Sequence, residues 1–239
     1  MHDPDLLQMA PSLYRLRIPG DEAYLLNSYL WLDPDGVTLI DTGWPDSAEL
    51  IVDALAVLGM RRLHVKRIVL THFHEDHCGS AAEIAEWADV EVIAGARDAS
   101  YVRGALPGPI PVLTAGERTL HDDFDKSSHG PPCRVDRAVT DGEVLDFAGG
   151  ALVLSVPGHT PGSIAVYLPE ADALLTGDAV AEFNGQVILG VFNTDRRAAR
   201  ESLGKLAATG AQIAGFGHGE AVLTDAAARI ENASDPFSS

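Results

Sequence analysis

Residues 70–80 read LTHFHEDHCGS, which places three histidines and an aspartate within positions 72–77. Nine histidines spread over 239 residues would not crowd together in this way by chance. Imidazole and carboxylate groups at such spacing are what a metal ion asks of its protein ligands. The flanks show what carries the cluster. KRIVLTH (66–72) is β-branched and apolar and reads as a short buried strand, GSAAEIAEWA (79–88) as a helix, and VEVIAG (90–95) as a further strand. The unit is strand, ligand turn, helix, strand, and the fold class is α/β. His72 and His74, two apart at a strand end, share one side of it, while Asp76 and His77 fall at the turn into the helix, so adjacent pairs can face different ions.

Upstream, SLYRLRI (12–18), AYLLNSYLWLD (23–33) and GVTLIDTG (36–43) read as a β-meander with Asp35–Gly36 as a hairpin turn. DSAELIVDALAVL (46–58) follows as a helix whose leading Asp-Ser can cap its first turn. Downstream, EVLDF, ALVLSV, SIAVYL and ALLTG form four β-runs from 143, followed by a helix over 194–210, a strand over 212–217 and a helix over 224–232. No internal repeat stands out. Three further candidate ligands lie just past such strands: His159 in PGHTPGS, Asp178 in TGD and His218 in GHG. Sites in open α/β layers form where strand ends meet, and Gly158, Gly177, Gly217 and Gly219 permit the sharp turns such loops need. Five histidines and two aspartates suffice for two metal sites.

Composition narrows the function. A length of 239 residues fits one α/β domain, 1–239, and 46% hydrophobic residues without an apolar run of about 20 excludes a membrane span. The first twenty residues lack the basic start and apolar core of an export peptide, so the cytoplasm is the expected compartment. A net charge of −18 opposes a polyanionic partner, since nucleic-acid binding draws its affinity from Lys and Arg on phosphates. The two cysteines, Cys78 and Cys133, read as thiols, Cys78 as small filler beneath the helix. His2 and His64 read as surface histidines, and His121, His129 and Cys133 lie in a polar loop at spacings that make a poor third ion site.

THFHEDH together with downstream PGHTPGS, TGD and GHG resembles the metallo-β-lactamase superfamily of dinuclear metallohydrolases, over essentially the whole chain. The resemblance implies an αββα sandwich, two mixed β-sheets flanked by helices, with the metals at one edge. It implies that His72, His74 and His159 hold one ion, that Asp76, His77 and His218 hold the other, and that Asp178 bridges them. Asp41 of the matching DTG would order the ligand loops from behind. The implied cofactors are two divalent ions, zinc first, with iron or manganese in some relatives. The implied chemistry is hydrolysis: two cations ~3.5–4 Å apart hold a bridging hydroxide near neutral pH, which attacks a carbonyl ester, thioester or lactone, and Asp76 shuttles the proton as the catalytic residue. The expected partner is a small acyl substrate, and a homodimer is compatible with this reading.

Departures from better-known branches rank the alternatives. Dinuclear β-lactamases generally lack the bridging aspartate that Asp178 would supply. Hydroxyacylglutathione hydrolases append a helical glutathione-binding domain, whereas 21 residues follow His218 here. Acyl-homoserine-lactone lactonases often place a tyrosine where this chain has Ala181. Phosphodiesterases and tRNA nucleases of the superfamily fit poorly with the acidic balance. A mononuclear-iron persulfide dioxygenase would leave His77 and Asp178 idle. Residues 97–141, rich in Pro, Gly and charge, read as a long inserted loop, expected to be a lid with Leu106, Ile110, Val112 and Leu113 as an apolar wall.

Overall fold

The computed structural model describes residues 3–20, 25–121 and 129–239. His2, the start of the expected strand 23–33 and part of the expected lid, 122–128, lie outside the described residues. The chain opens on an antiparallel meander, β1 (Leu6–Ala10), β2 (Leu13–Ile18), β3 (Leu26–Asp33) and β4 (Gly36–Ile40), and continues in parallel through β5 (Val65–Leu70), β6 (Glu91–Gly95) and β7 (Arg137–Val139). Among the described residues these strands make one seven-stranded sheet in sequence order. In the second sheet, β8 (Val144–Leu145), β9 (Ala151–Ser155), β10 (Ile164–Leu168) and β11 (Ala173–Leu175) pair antiparallel. After a separate hairpin of β12 (Val180–Phe183) and β13 (Gln186–Leu189), β14 (Ile213–Gly215) adds to β11 in parallel.

Both sheets are apolar on both faces, and each face is covered. Leu13, Tyr29, Trp31, Ile40, Val69 and Ile93 of the first sheet meet Val153, Ile164, Val166 and Leu175 of the second. The outer face of the first sheet packs against α1 (Ala48–Val57), α2 (Glu75–Cys78), α3 (Ala81–Ala85) and α4 (Ala99–Val102) through Ile51, Leu55, Ile84 and Val102. The outer face of the second packs against α5 (Arg196–Ala207) and α6 (Ala226–Glu231) through Leu206, Ala226 and Ile230. Each such side chain taken fully out of water contributes roughly 1.5–3 kcal/mol, and two-sided burial explains why these strands read as apolar runs. This is the αββα sandwich. Among the described residues no helix is long and apolar enough to cross a membrane.

Several local expectations change. The Asp46–Ser47 cap does not form: Ser47 stands at the N-cap without a side-chain hydrogen bond and Asp46 has φ +73°. The β12–β13 hairpin turns on Asn184 and Gly185, at φ +52° and +82°, the Asn-Gly signature of a tight turn. Residues 97–141 are not one irregular loop. α4 and β7 belong to the sandwich, with Ala99, Val102, Cys133 and Val135 in its core. What remains irregular is tied down: Val112 N donates to Asn193 O at 2.9 Å, and buried Glu117 accepts from Thr114 N, Phe192 N and Arg196 Nη1 at 2.9, 2.8 and 2.7 Å. Leu106, Ile110 and Val112 stay exposed, whereas Leu113 is half-buried.

Candidate metal centre

β5 ends at Leu70, so His72 and His74 lie in the turn beyond it rather than on the strand, and Asp76 and His77 lie in α2. His159 follows β9, Asp178 sits in a 3-10 turn after β11, and His218 follows β14. All seven converge. His159 Nε2 lies 3.2 Å from His72 Nε2 and 2.9 Å from His74 Nδ1. Asp76 Oδ2 lies 3.1 Å from His218 Nε2 and 3.5 Å from His77 Nε2. Asp178 spans the two groups, with Oδ1 3.2 Å from His77 Nε2 and Oδ2 3.4 Å from His218 Nε2 and 3.6 Å from His159 Nε2. Ligand-capable atoms within each group, His72–His74–His159 and Asp76–His77–Asp178–His218, lie within 4.8 Å of one another.

The hydrogen bonds behind the ligands fix which ring nitrogens face the centre. Asp41 accepts from Thr71 N at 2.8 Å, from Thr71 Oγ1 at 2.7 Å and from His77 Nδ1 at 2.8 Å. With its one proton given to Asp41, the Thr71 hydroxyl accepts from His72 Nδ1 at 3.0 Å. His159 Nδ1 donates to Val191 O at 3.0 Å. In neutral imidazoles so oriented, His72 and His159 turn bare Nε2 lone pairs toward each other, and His77 turns its own inward. Two lone pairs 3.2 Å apart repel unless a cation lies between them. His77 Nε2 and Asp178 Oδ1 are buried without a hydrogen-bond partner although close together, so both point to a common place in space. The donor set therefore fits divalent transition-metal ions.

Electrostatics agrees. Burial pulls the His72, His74 and His159 imidazoles down, His74 to about 3, which keeps them neutral and fit to ligate. Burial also works to lower His77 and His218, but carboxylates, Asp178 first, outweigh it, lifting His77 well above its ordinary range and His218 to about 9. Asp76 and Asp178, which burial would raise, are instead held well below the carboxylate range, chiefly by His77. This half of the centre draws positive charge, as protons or as a metal ion.

The backbone shows which glycines matter and why. Gly158, Gly177 and Gly219 take positive φ, as the turns require. Gly217 does not, and its role is space: a Cβ there would lie 1.9 Å from Asp178 Oδ1. Asp41 itself holds φ +60°, a conformation costing about 1–3 kcal/mol in a non-glycine residue. The sequence reading found Asp41 but not Thr71 or the Val191 carbonyl. Replacing Asp41 with alanine frees Thr71 and His77 together, and ion affinity is expected to fall ~10–100-fold, measured by competition with a chelator.

The remaining candidates do not join the centre. His129 pairs by backbone with His74, stacks on Phe73 with ring centroids 5.0 Å apart, and accepts from Gly108 N at 2.7 Å through Nε2. Cys78 is buried and donates to Phe73 O, and Cys133 is buried in the core. Among the described residues no third cluster of ligand-type side chains forms.

A family model described as the metallo-beta-lactamase superfamily matches residues 23–218. The chain is 32% identical over 208 residues to "Probable metallo-hydrolase YflN" of Bacillus subtilis (strain 168), covering 78% of this chain and 76% of that one. It is 32% identical over 161 residues to a hydroxyacylglutathione hydrolase of Synechococcus sp. (strain JA-3-3Ab), covering 65% of this chain and 50% of the relative, so it spans about half the length of that enzyme. Among solved structures, a metallo-beta-lactamase family protein from Thermus thermophilus superposes with a TM-score of 0.71 at 28% identity, covering 94% of this chain and 79% of the other.

Proposed function

The chain belongs to the metallo-beta-lactamase superfamily, and from that premise we propose that it is a dinuclear hydrolase, zinc-loaded first of all, acting on a carbonyl ester, thioester or lactone of a small acyl substrate. The observation that carries this reading is the reach of Asp178, whose carboxylate addresses His77 and His218 of one group and His159 of the other. His72, His74 and His159 would hold one ion, Asp76, His77 and His218 the other, with Asp178 between them. Bound there, two divalent ions would supply a water acidified toward neutrality and a Lewis acid for the carbonyl.

The residues supply the rest. Asp41 and Val191 O hold the imidazoles in the tautomer that ligates. Asp76 commits Oδ2 to the cluster, yet its side chain is 17% exposed, so it can take a proton at the mouth and return it to the leaving group. Exposed Leu106, Ile110 and Val112 on the tied-down loop would form the apolar wall that chooses the acyl part. A net charge of −18 disfavours phosphodiesters. The similarity to hydroxyacylglutathione hydrolases keeps thioesters prominent among the substrates.

The test is a panel of thioester, ester, lactone, β-lactam and phosphodiester substrates at matched ion content. The carbonyl esters, thioesters or lactones are expected to react at least ~10-fold faster than phosphodiesters, a gap of about 1.4 kcal/mol in barrier. A phosphodiester preference of that size would overturn the acyl reading, and oxygen uptake with one iron per chain would replace hydrolysis by dioxygenation.

A further inference from the structure

Asp98 stands at the head of α4, within the stretch that sequence patterning reads as a long inserted loop. It is fully buried and does not cap its own helix. Its carboxylate faces the loop after β9 instead: Oδ2 accepts from Thr160 Oγ1 at 2.6 Å and Oδ1 accepts from Gly162 N at 2.7 Å. The approach is close because Gly162 lacks a side chain: a Cβ there would lie 2.2 Å from Asp98 N and 2.5 Å from Asp98 Oδ1.

Among the described residues no cation pairs with this carboxylate at ion-pair distance, and burial raises its pKa to about 6. Keeping it ionised in the interior at neutral pH costs stability, which its hydrogen bonds offset only in part. Packing alone would be served as well by a neutral side chain. The donors share another property. Thr160 follows His159 directly, and Gly162 lies three residues beyond it. The loop that carries the His159 imidazole is therefore fastened by one carboxylate.

We infer that Asp98 is a positioning residue for the three-histidine site, clamping the 159–162 loop to the head of α4 so that His159 is held where it meets His72 and His74. The inference rests on reading those histidines as a ligand set. An acceptor-only carboxylate can receive several N–H and O–H donors at once; an amide of the same shape turns a donor toward one of them.

The experiment follows Co(II) uptake by absorption and chelator competition in wild type, Asp98→Asn, Thr160→Val and Thr160→Ser. Each is also made in an Asp76→Ala background, where the second group lacks a ligand and the three-histidine ion is read by itself. Thermal midpoints are taken with chelator present, so that folding is measured apart from ion binding. Thr160→Val is expected to weaken the three-histidine ion by at least ~10-fold and to change its spectrum. Thr160→Ser, which keeps the hydroxyl, restores both, and Asp98→Asn loses more. Thr160→Val serves if Asp98→Asn does not fold. Wild-type affinity and spectrum in Thr160→Val, with only the chelated midpoint lowered, would make Asp98 a staple of the fold and overturn the inference. Wild type that takes up no cobalt would instead sink the metal-centre reading itself, and the inference with it.

Discussion

Asp178→Ala is expected to reduce the ion content below two per chain and to abolish most turnover. The carboxylate lies 3.2 Å from His77 Nε2, 3.4 Å from His218 Nε2 and 3.6 Å from His159 Nε2, so it addresses both halves of the centre. Removing one partner from a buried charged cluster costs ~3–5 kcal/mol, or roughly 10²- to 10⁴-fold in affinity. Metal analysis after dialysis against a weak chelator measures the first effect, and turnover of any substrate accepted by wild type measures the second. Two ions and full activity in the variant would refute the bridging role. Asp178→Asn keeps the shape and removes the charge, so an intermediate loss there would separate geometry from electrostatics.

Gly217→Ala should come close to the same loss without replacing a ligand. The added Cβ would meet Asp178 Oδ1 at 1.9 Å and His77 Cε1 at 2.7 Å, distances at which one or both must move. His77 cannot move freely, since it is fully buried and held by Asp41 at 2.8 Å, so the clash falls mainly on the Asp178 carboxylate. The expectation is a fall of ~10²-fold or more in affinity for the ion of Asp76, His77 and His218, with circular dichroism of the fold unchanged. Gly204→Ala in α5 is the control: a Cβ there meets nothing within 4 Å, and helix propensity should raise stability by up to ~1 kcal/mol at unchanged ion content. If Gly217→Ala also kept wild-type ion affinity, the crowding around Asp178 would be softer than the structure describes.

What the sequence disclosed and what it hid follow one physical division. The ligands were legible because His72, His74, Asp76 and His77 are near neighbours in the chain and the later three sit just past apolar runs. The layers were legible because two-sided burial writes continuous hydrophobic strands. Thr71 was hidden because its part depends on which neighbour takes its single proton, and Val191 because a carbonyl leaves no mark on residue identity. Asp98 was hidden by its setting: the Pro- and Gly-rich stretch that follows it looks like surface, and only tertiary packing shows α4 and β7 to be core. Gly217 was seen, but for the wrong reason, as a turn former rather than as room for Asp178. The β12–β13 hairpin carried a readable Asn184–Gly185 signal that patterning of the neighbouring strands overshadowed.

The chain order of the ligands has a consequence for biosynthesis. His72, His74, Asp76 and His77 leave the ribosome first, His159 and Asp178 later, and His218 arrives on the loop after β14, which joins β11 at the margin of the second sheet. At ~5–20 residues per second, roughly 7–30 s separate the first ligand from the last. His159 in turn depends on the later Val191 for the bond to its Nδ1, while Asp76, His77 and Asp178 wait for His218. The centre closes only when almost the whole sandwich has been made.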